Sequence, residues 1–187
     1  MKKENQRTML TKKLLKDSLI SKLEKESIHK ISIRELCEHA EINRSTFYKY
    51  YGNQYELLED MENEFLQHIW GEDKANILIQ PVMNVERITS LLSYFESCYQ
   101  LVRLLINNNV DPSFPEKIIN LPEIKALATQ RLGDGYRAEQ LAYLSTFIIN
   151  GSFHMIREWI NKEEREPPMD IAVLLFDMIT RICGKIE

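Results

Sequence analysis

The chain has no apolar run near the roughly 20 residues that cross a bilayer. Its basic start, Thr8–Lys16, is too charged for a signal-peptide core. A cytoplasmic protein with no membrane partner is therefore expected. There is no G-x-S-x-G elbow, no phosphate loop and no G-x-G-x-x-G turn, which removes the common hydrolase and nucleotide-binding chemistries. The histidines His29, His39, His68 and His154 are scattered. Glu64 and His68 lie four apart, but no third ligand is near, so the pair reads as surface and no metal is expected. Cys37, Cys98 and Cys183 are far apart and lack C-x-x-C spacing, as expected of reduced, small core residues in an intracellular protein. No cofactor is implied, and an enzyme is the least favoured reading. Strand alternation and internal repeats are missing too. Every periodic segment is helical, so the expected class is all-α.

A cationic excess is also missing: net charge over the 187 residues is −4. Its distribution is uneven. Through Tyr55 there are 12 Lys and Arg against 7 Asp and Glu, or +5, and beyond it 12 against 21, or −9. A cationic head on an anionic body confines any nucleic-acid footprint to one end.

That end holds the most informative stretch, Ile31 to Tyr55. Ser32 and Glu35 form an S-x-x-E capping box. Asn43 is a good N-cap for a second helix, and Asn53 with Glu56 repeats the box arrangement with Asn. The spacing predicts a helix over about Ile33–His39, a tight turn over Ala40–Asn43 and a helix over about Arg44–Tyr51. This is the layout of a helix-turn-helix, whose second helix enters the major groove. Phe47 and Tyr51 face inward with Leu36, Ala40 and Ile42. Arg44, Ser45, Thr46, Tyr48, Lys49 and Tyr50 face out, carrying cations and hydroxyls that donate to phosphates and base edges and no carboxylate. Ser32 and Arg34 are expected to pin phosphates. Lys2, Lys3 and Arg7 either follow the DNA backbone or form a solvated tail.

These residues resemble the N-terminal domain of the tetracycline-repressor (TetR) family over about Thr11–Leu66. The matching groups are Ser32-Ile33-Arg34-Glu35-Leu36, Ala40-Glu41-Ile42-Asn43, Ser45 through Tyr51, Asn53 and Tyr55-Glu56-Leu57-Leu58. Two positions depart from the family pattern. Glu41 stands where Gly is usual, so a left-handed backbone there carries a cost. Gln54 stands where Lys is usual, which weakens one phosphate contact.

A first helix over Thr8–Glu26 brings Leu10, Leu14, Leu15, Leu19 and Leu23 to one face. A fourth, from Asn53, is the natural connector to the body. The body is read as a helix over about Asn84–Asn107 and one over about Phe114–Leu132, interrupted near Pro122. A long helix, Tyr136–Lys162, and a Pro-opened final helix, Pro168–Cys183, complete it. About eight or nine helices are expected. The last two have more apolar surface than a small body covers, so they are expected to pair with a second copy through Ile148, Ser152, Met155, Trp159, Leu174, Leu175 and Met178. The string Asn150 to Ile160, followed by that final helix, resembles the C-terminal half of one short TetR-family branch.

The resemblance implies a three-helix DNA-binding head (1–56) and a helical-bundle ligand-binding and dimerisation domain (57–187). It implies a homodimeric regulator, most often a repressor, that binds palindromic double-stranded operator DNA and is released by a small-molecule effector. Tyr94, Phe95, Tyr99, Phe147 and His154 are candidate effector-lining residues, although each also reads as ordinary core. The alternative is a helical interaction module, a coactivator that does not bind operator DNA on its own.

Overall fold

The computed structural model describes residues 6–70, 83–107, 110–130 and 136–183, with Trp70, Gln130 and Cys183 described by backbone alone. Lys2, Lys3 and Gly184 lie outside the described residues. Every described element is helical: α1 (Gln6–Leu23), a 3-10 turn (Ile28–Lys30), α2 (Ile33–His39), α3 (Arg44–Phe47), α4 (Gln54–Trp70), α5 (Val85–Ser97), α6 (Tyr99–Ile106), α7 (Phe114–Ile119), α8 (Pro122–Gln130), α9 (Ala138–Asn161) and α10 (Pro168–Cys183). None of the described helices is long and apolar enough to cross a membrane. Contacts divide the chain into two compact units, Met1–Ile69 and Trp70–Glu187.

In the first unit α1 packs on α2 and α2 on α3. Leu15, Leu19 and Leu23 of α1 are buried with Leu36, Ala40, Phe47 and Tyr51. Leu10 and Leu14, expected on the same face, stay outside at 59% and 38% exposure. The buried stripe runs through Thr11, Leu15, Ser18 and Leu19 instead, about one residue around the helix. Leu57, Leu58, Met61 and Phe65 of α4 are also buried. That burial accounts for α4 counting with this unit, whose limit lies well beyond residue 56.

In the second unit α5 packs on α10, and α9 packs on α6, α7 and α8. One core cluster joins Ala128, Ile148, Ile149 and Ile179. The helix expected over Asn84–Asn107 breaks at Cys98, whose backbone leaves the helical region at φ −124° and ψ 37°. There the Ser97 hydroxyl and Cys98 thiol both donate to the Tyr94 carbonyl, offering that backbone a local alternative. The interruption near Pro122 falls between α7 and α8.

Candidate nucleic-acid interface

The helix-turn-helix is built from its caps. Glu35 N–H donates to Ser32 Oγ at 3.2 Å, and Ser32 N–H donates back to Glu35 Oε2 at 3.0 Å. The Ser32 hydroxyl also donates to that carboxylate at 2.7 Å, which holds Glu35 below the usual carboxylate range. Both functions of the hydroxyl are therefore occupied. A phosphate reaching Ser32 must displace Glu35.

The turn closes as a Schellman motif. Ile42 N–H donates to Cys37 O at 2.9 Å and Glu41 N–H to Glu38 O at 3.3 Å. Glu41 takes the left-handed position at φ 54°. Asn43 caps α3 by its backbone conformation only, since its side chain makes no capping hydrogen bond.

From Arg44 the α-helix runs to Phe47 and then tightens, with Lys49 N–H on Thr46 O and Tyr50 N–H on Phe47 O. The expected helix over Arg44–Tyr51 is therefore half regular and half turn. Phe47 and Tyr51 are buried, with ring centroids 5.8 Å apart. Tyr51 OH donates to Asp60 Oδ2 at 2.7 Å, and Lys16 Nζ lies 2.8 Å from the same oxygen. This places a buried platform under the segment. Above it Arg44, Ser45, Tyr48 and Lys49 are exposed, and Thr46 and Tyr50 are half-buried. Arg34, on α2, is exposed and donates from Nε to Glu38 Oε1 at 2.7 Å. The eight predicted DNA-facing residues thus lie along Ser32–Arg34 and Arg44–Tyr50 of one small fold.

Nothing in the sequence marked Thr8 as a neighbour of this face. Its hydroxyl lies 3.4 Å from Tyr50 OH, although the two residues are 42 apart in the chain. Glu38 was also missed; the i, i+4 spacing from Arg34 was the available signal. An open crevice of about 490 Å³ lies beside the turn, lined by Arg34, Cys37, Glu38, Glu41, Ile42, Asn43 and Arg44. Cys37 is a free, buried thiol, and burial pushes it up despite the Arg44 charge.

The expected effector residues occupy separate settings. Phe95 is buried and Tyr94 half-buried, with rings 6.3 Å apart. Tyr99 receives the Arg165 guanidinium over its ring at 5.2 Å. Phe147 is 64% exposed and His154 is exposed. Among the expected dimer residues, Ile148, Trp159 and Leu175 are buried in the chain's own core, and Ser152 and Met155 are half-buried. Leu174 and Met178 are exposed, together with Tyr143, Phe147 and Val173. One residue is about 100° of helix rotation, so Phe147 faces out where Ile148 faces in. Among the described residues no group of three or more His, Cys, Asp and Glu is placed to hold a metal.

Residues 23–61 match the family described as bacterial regulatory proteins, tetR family, and residues 85–181 match a transcriptional regulator C-terminal region. No curated protein matches the chain. Among solved structures, a TetR transcriptional regulator from Streptococcus agalactiae 2603V is 21% identical. That match covers 92% of this chain and 95% of the other, with TM-score 0.64. The dihydroxyacetone kinase operon activator DhaS is 17% identical, with 92% and 96% covered and TM-score 0.59. Likeness at these identities is likeness of fold.

Proposed function

The chain belongs to the tetR family and is a DNA-binding transcriptional regulator, and on that footing we propose that it is a homodimeric repressor of a palindromic operator, released by a small-molecule effector. The observation that carries this reading is the segment Arg44–Tyr50. It presents two cations and several hydroxyls on a buried Phe47–Tyr51 platform, with no carboxylate of its own. Such groups donate to phosphates and base edges. Ser32 and Arg34 fix the register from the start of α2.

The dimer reading is supported by the exposed apolar side chains of α9 and α10. Tyr143, Phe147, Leu174 and Met178 are exposed at 79%, 64%, 46% and 46%. Tyr143 and Phe147 are one turn apart on α9, as are Leu174 and Met178 on α10. Gly151, one turn further on, has open space where a Cβ would point, which suits close approach of a second helix. We assign this apolar face to a second copy, with Ile148, Trp159 and Leu175 supporting it from beneath. Phe147 and His154 then belong with the dimer face, which leaves Tyr94, Phe95 and Tyr99 as effector-lining candidates. Residues 1–69 read DNA, and the rest pairs and senses.

The test is selection of bound duplexes from a random pool by the purified protein at fixed, near-physiological salt. The expected result is a two-fold-symmetric site with half-sites about one or two helical turns apart. Lack of enrichment by folded, dimeric protein rejects the repressor reading and favours the coactivator, which needs a partner to reach DNA.

A further inference from the structure

The crevice beside the turn carries two guanidinium groups, Arg34 and Arg44, and two carboxylates, Glu38 and Glu41. Its formal charge is therefore nil, on the face proposed above to meet a polyanion. The carboxylates are not equivalent. Glu38 Oε1 accepts from Arg34 Nε at 2.7 Å, one helical turn along α2, and both side chains are solvent-exposed. Glu41 stands at the rim on a left-handed backbone.

A guanidinium binds carboxylate and phosphate oxygens with the same planar donor fork. The Glu38 carboxylate on the Arg34 Nε edge therefore takes one of the positions a backbone phosphate oxygen would use. We infer that Glu38 is a tethered competitor for the phosphate that Arg34 contacts, and that it lowers DNA affinity by holding Arg34 in the free protein. This inference rests on the DNA-binding reading above. Phosphate contacts fix position without reading sequence, so the competition acts equally on operator and non-operator DNA. It lowers the non-specific electrostatic contribution, which governs off-site binding, by about one phosphate contact.

A double-mutant cycle isolates the effect. Glu38→Gln removes the charge from the hold on Arg34, leaving only a weaker neutral acceptor, and removes the direct repulsion between Glu38 and DNA. Arg34→Ala, compared in the wild-type and Glu38→Gln backgrounds, cancels the direct repulsion. What remains is the free energy of prising Arg34 from Glu38. The four full-length proteins are titrated by fluorescence anisotropy against the selected duplex and a mixed-sequence duplex over a salt series, with circular dichroism to confirm folding.

The expected result is that Glu38→Gln binds both duplexes roughly two- to fivefold tighter, the scale of an exposed ion pair. Its dependence of log Kd on log salt should steepen by about one unit. Arg34→Ala should cost more in the Glu38→Gln background than in the wild type. Equal cost in both backgrounds overturns the inference, and so does tightening confined to the selected duplex, which would make Glu38 a base-reading residue. If the wild type binds and Glu38→Gln changes nothing, the inference alone fails. If the wild type binds neither duplex, the DNA-binding reading fails with it.

Discussion

Replacing Glu41 by glycine should stabilise the protein. Glu41 is the second residue past α2, just after the Ala40 cap, at φ 54°. A side chain bearing a Cβ costs about 1–2 kcal/mol in that conformation. Glycine avoids the cost but brings extra freedom to the unfolded chain, worth roughly 0.5–1 kcal/mol in the other direction. The carboxylate also sits beyond the negative end of a helix dipole, so removing it returns roughly another 0.3 kcal/mol. The net gain is about 1 kcal/mol, or about 2–4 °C in Tm for a chain of this size. The backbone bonds from Ile42 N–H to Cys37 O and from Glu41 N–H to Glu38 O remain in the variant. Thermal unfolding of wild type, Glu41→Gly and Glu41→Ala at one protomer concentration separates the contributions. Alanine removes the charge but keeps the left-handed cost, so it should gain only the small electrostatic part. If Glu41→Gly is no more stable than Glu41→Ala, the backbone argument is wrong.

Four further outcomes are expected. Ser145 is buried and its Oγ has no hydrogen-bond partner among the described residues. Ser145→Ala should therefore raise the urea midpoint, gaining about 1 kcal/mol; a lower midpoint would mean that the hydroxyl is satisfied. Asp60 is pushed up by burial, but hydrogen bonds from the Lys16 ammonium and Tyr51 hydroxyl outweigh this and hold its carboxyl below the usual range. A depressed folded pKa adds stability that is present above the unfolded value of about 3.9 and is lost as pH falls through the folded value. The advantage of wild type over Asp60→Asn in denaturant midpoint should be full near neutrality and shrink below about pH 4, and a constant advantage would refute the linkage. Phe147→Asp should raise the dimer dissociation constant by at least about tenfold in sedimentation velocity, as loss of a central apolar anchor does; an unchanged dimer moves the interface elsewhere. Lys49→Ala should weaken binding to all duplexes and reduce the salt slope by about one unit, and an unchanged slope removes Lys49 from the phosphate contacts.

The parts of this fold legible in the sequence are those whose cause is local. The Ser32–Glu35 box and the bounds of α2 depend on residues within one turn of each other. So do the Pro168 start of α10 and the interruption at Pro122. The left-handed cost at Glu41 was legible for the same reason, since turn geometry is set by neighbours. Helix faces were less legible, because a stripe of leucines tolerates a rotation of one residue. Leu10 and Leu14 fit the apolar pattern of α1 as well as Leu15 and Leu19 do, yet only the second pair is buried. On α9 the same ambiguity decides whether Ile148 or Phe147 faces out. Periodicity gives the width of an apolar face, and packing against other helices gives its direction.

Long-range polar partners were not legible at all, and they govern how the proposed interface works. Lys16, Tyr51 and Asp60 come from three separate segments, and only the fold places Tyr51 OH and Lys16 Nζ on one oxygen of Asp60. The recognition segment is thereby tied at its end to both α1 and α4. A sequence reading counts Arg34 and Arg44 as two cations for DNA. The structure sets Glu38 and Glu41 beside them in one crevice, so the charge available at that point is less than the tally. A cationic head is thus a statement about long-range attraction, which depends on net charge. Contact affinity depends on which cations are already engaged, and here at least Arg34 is.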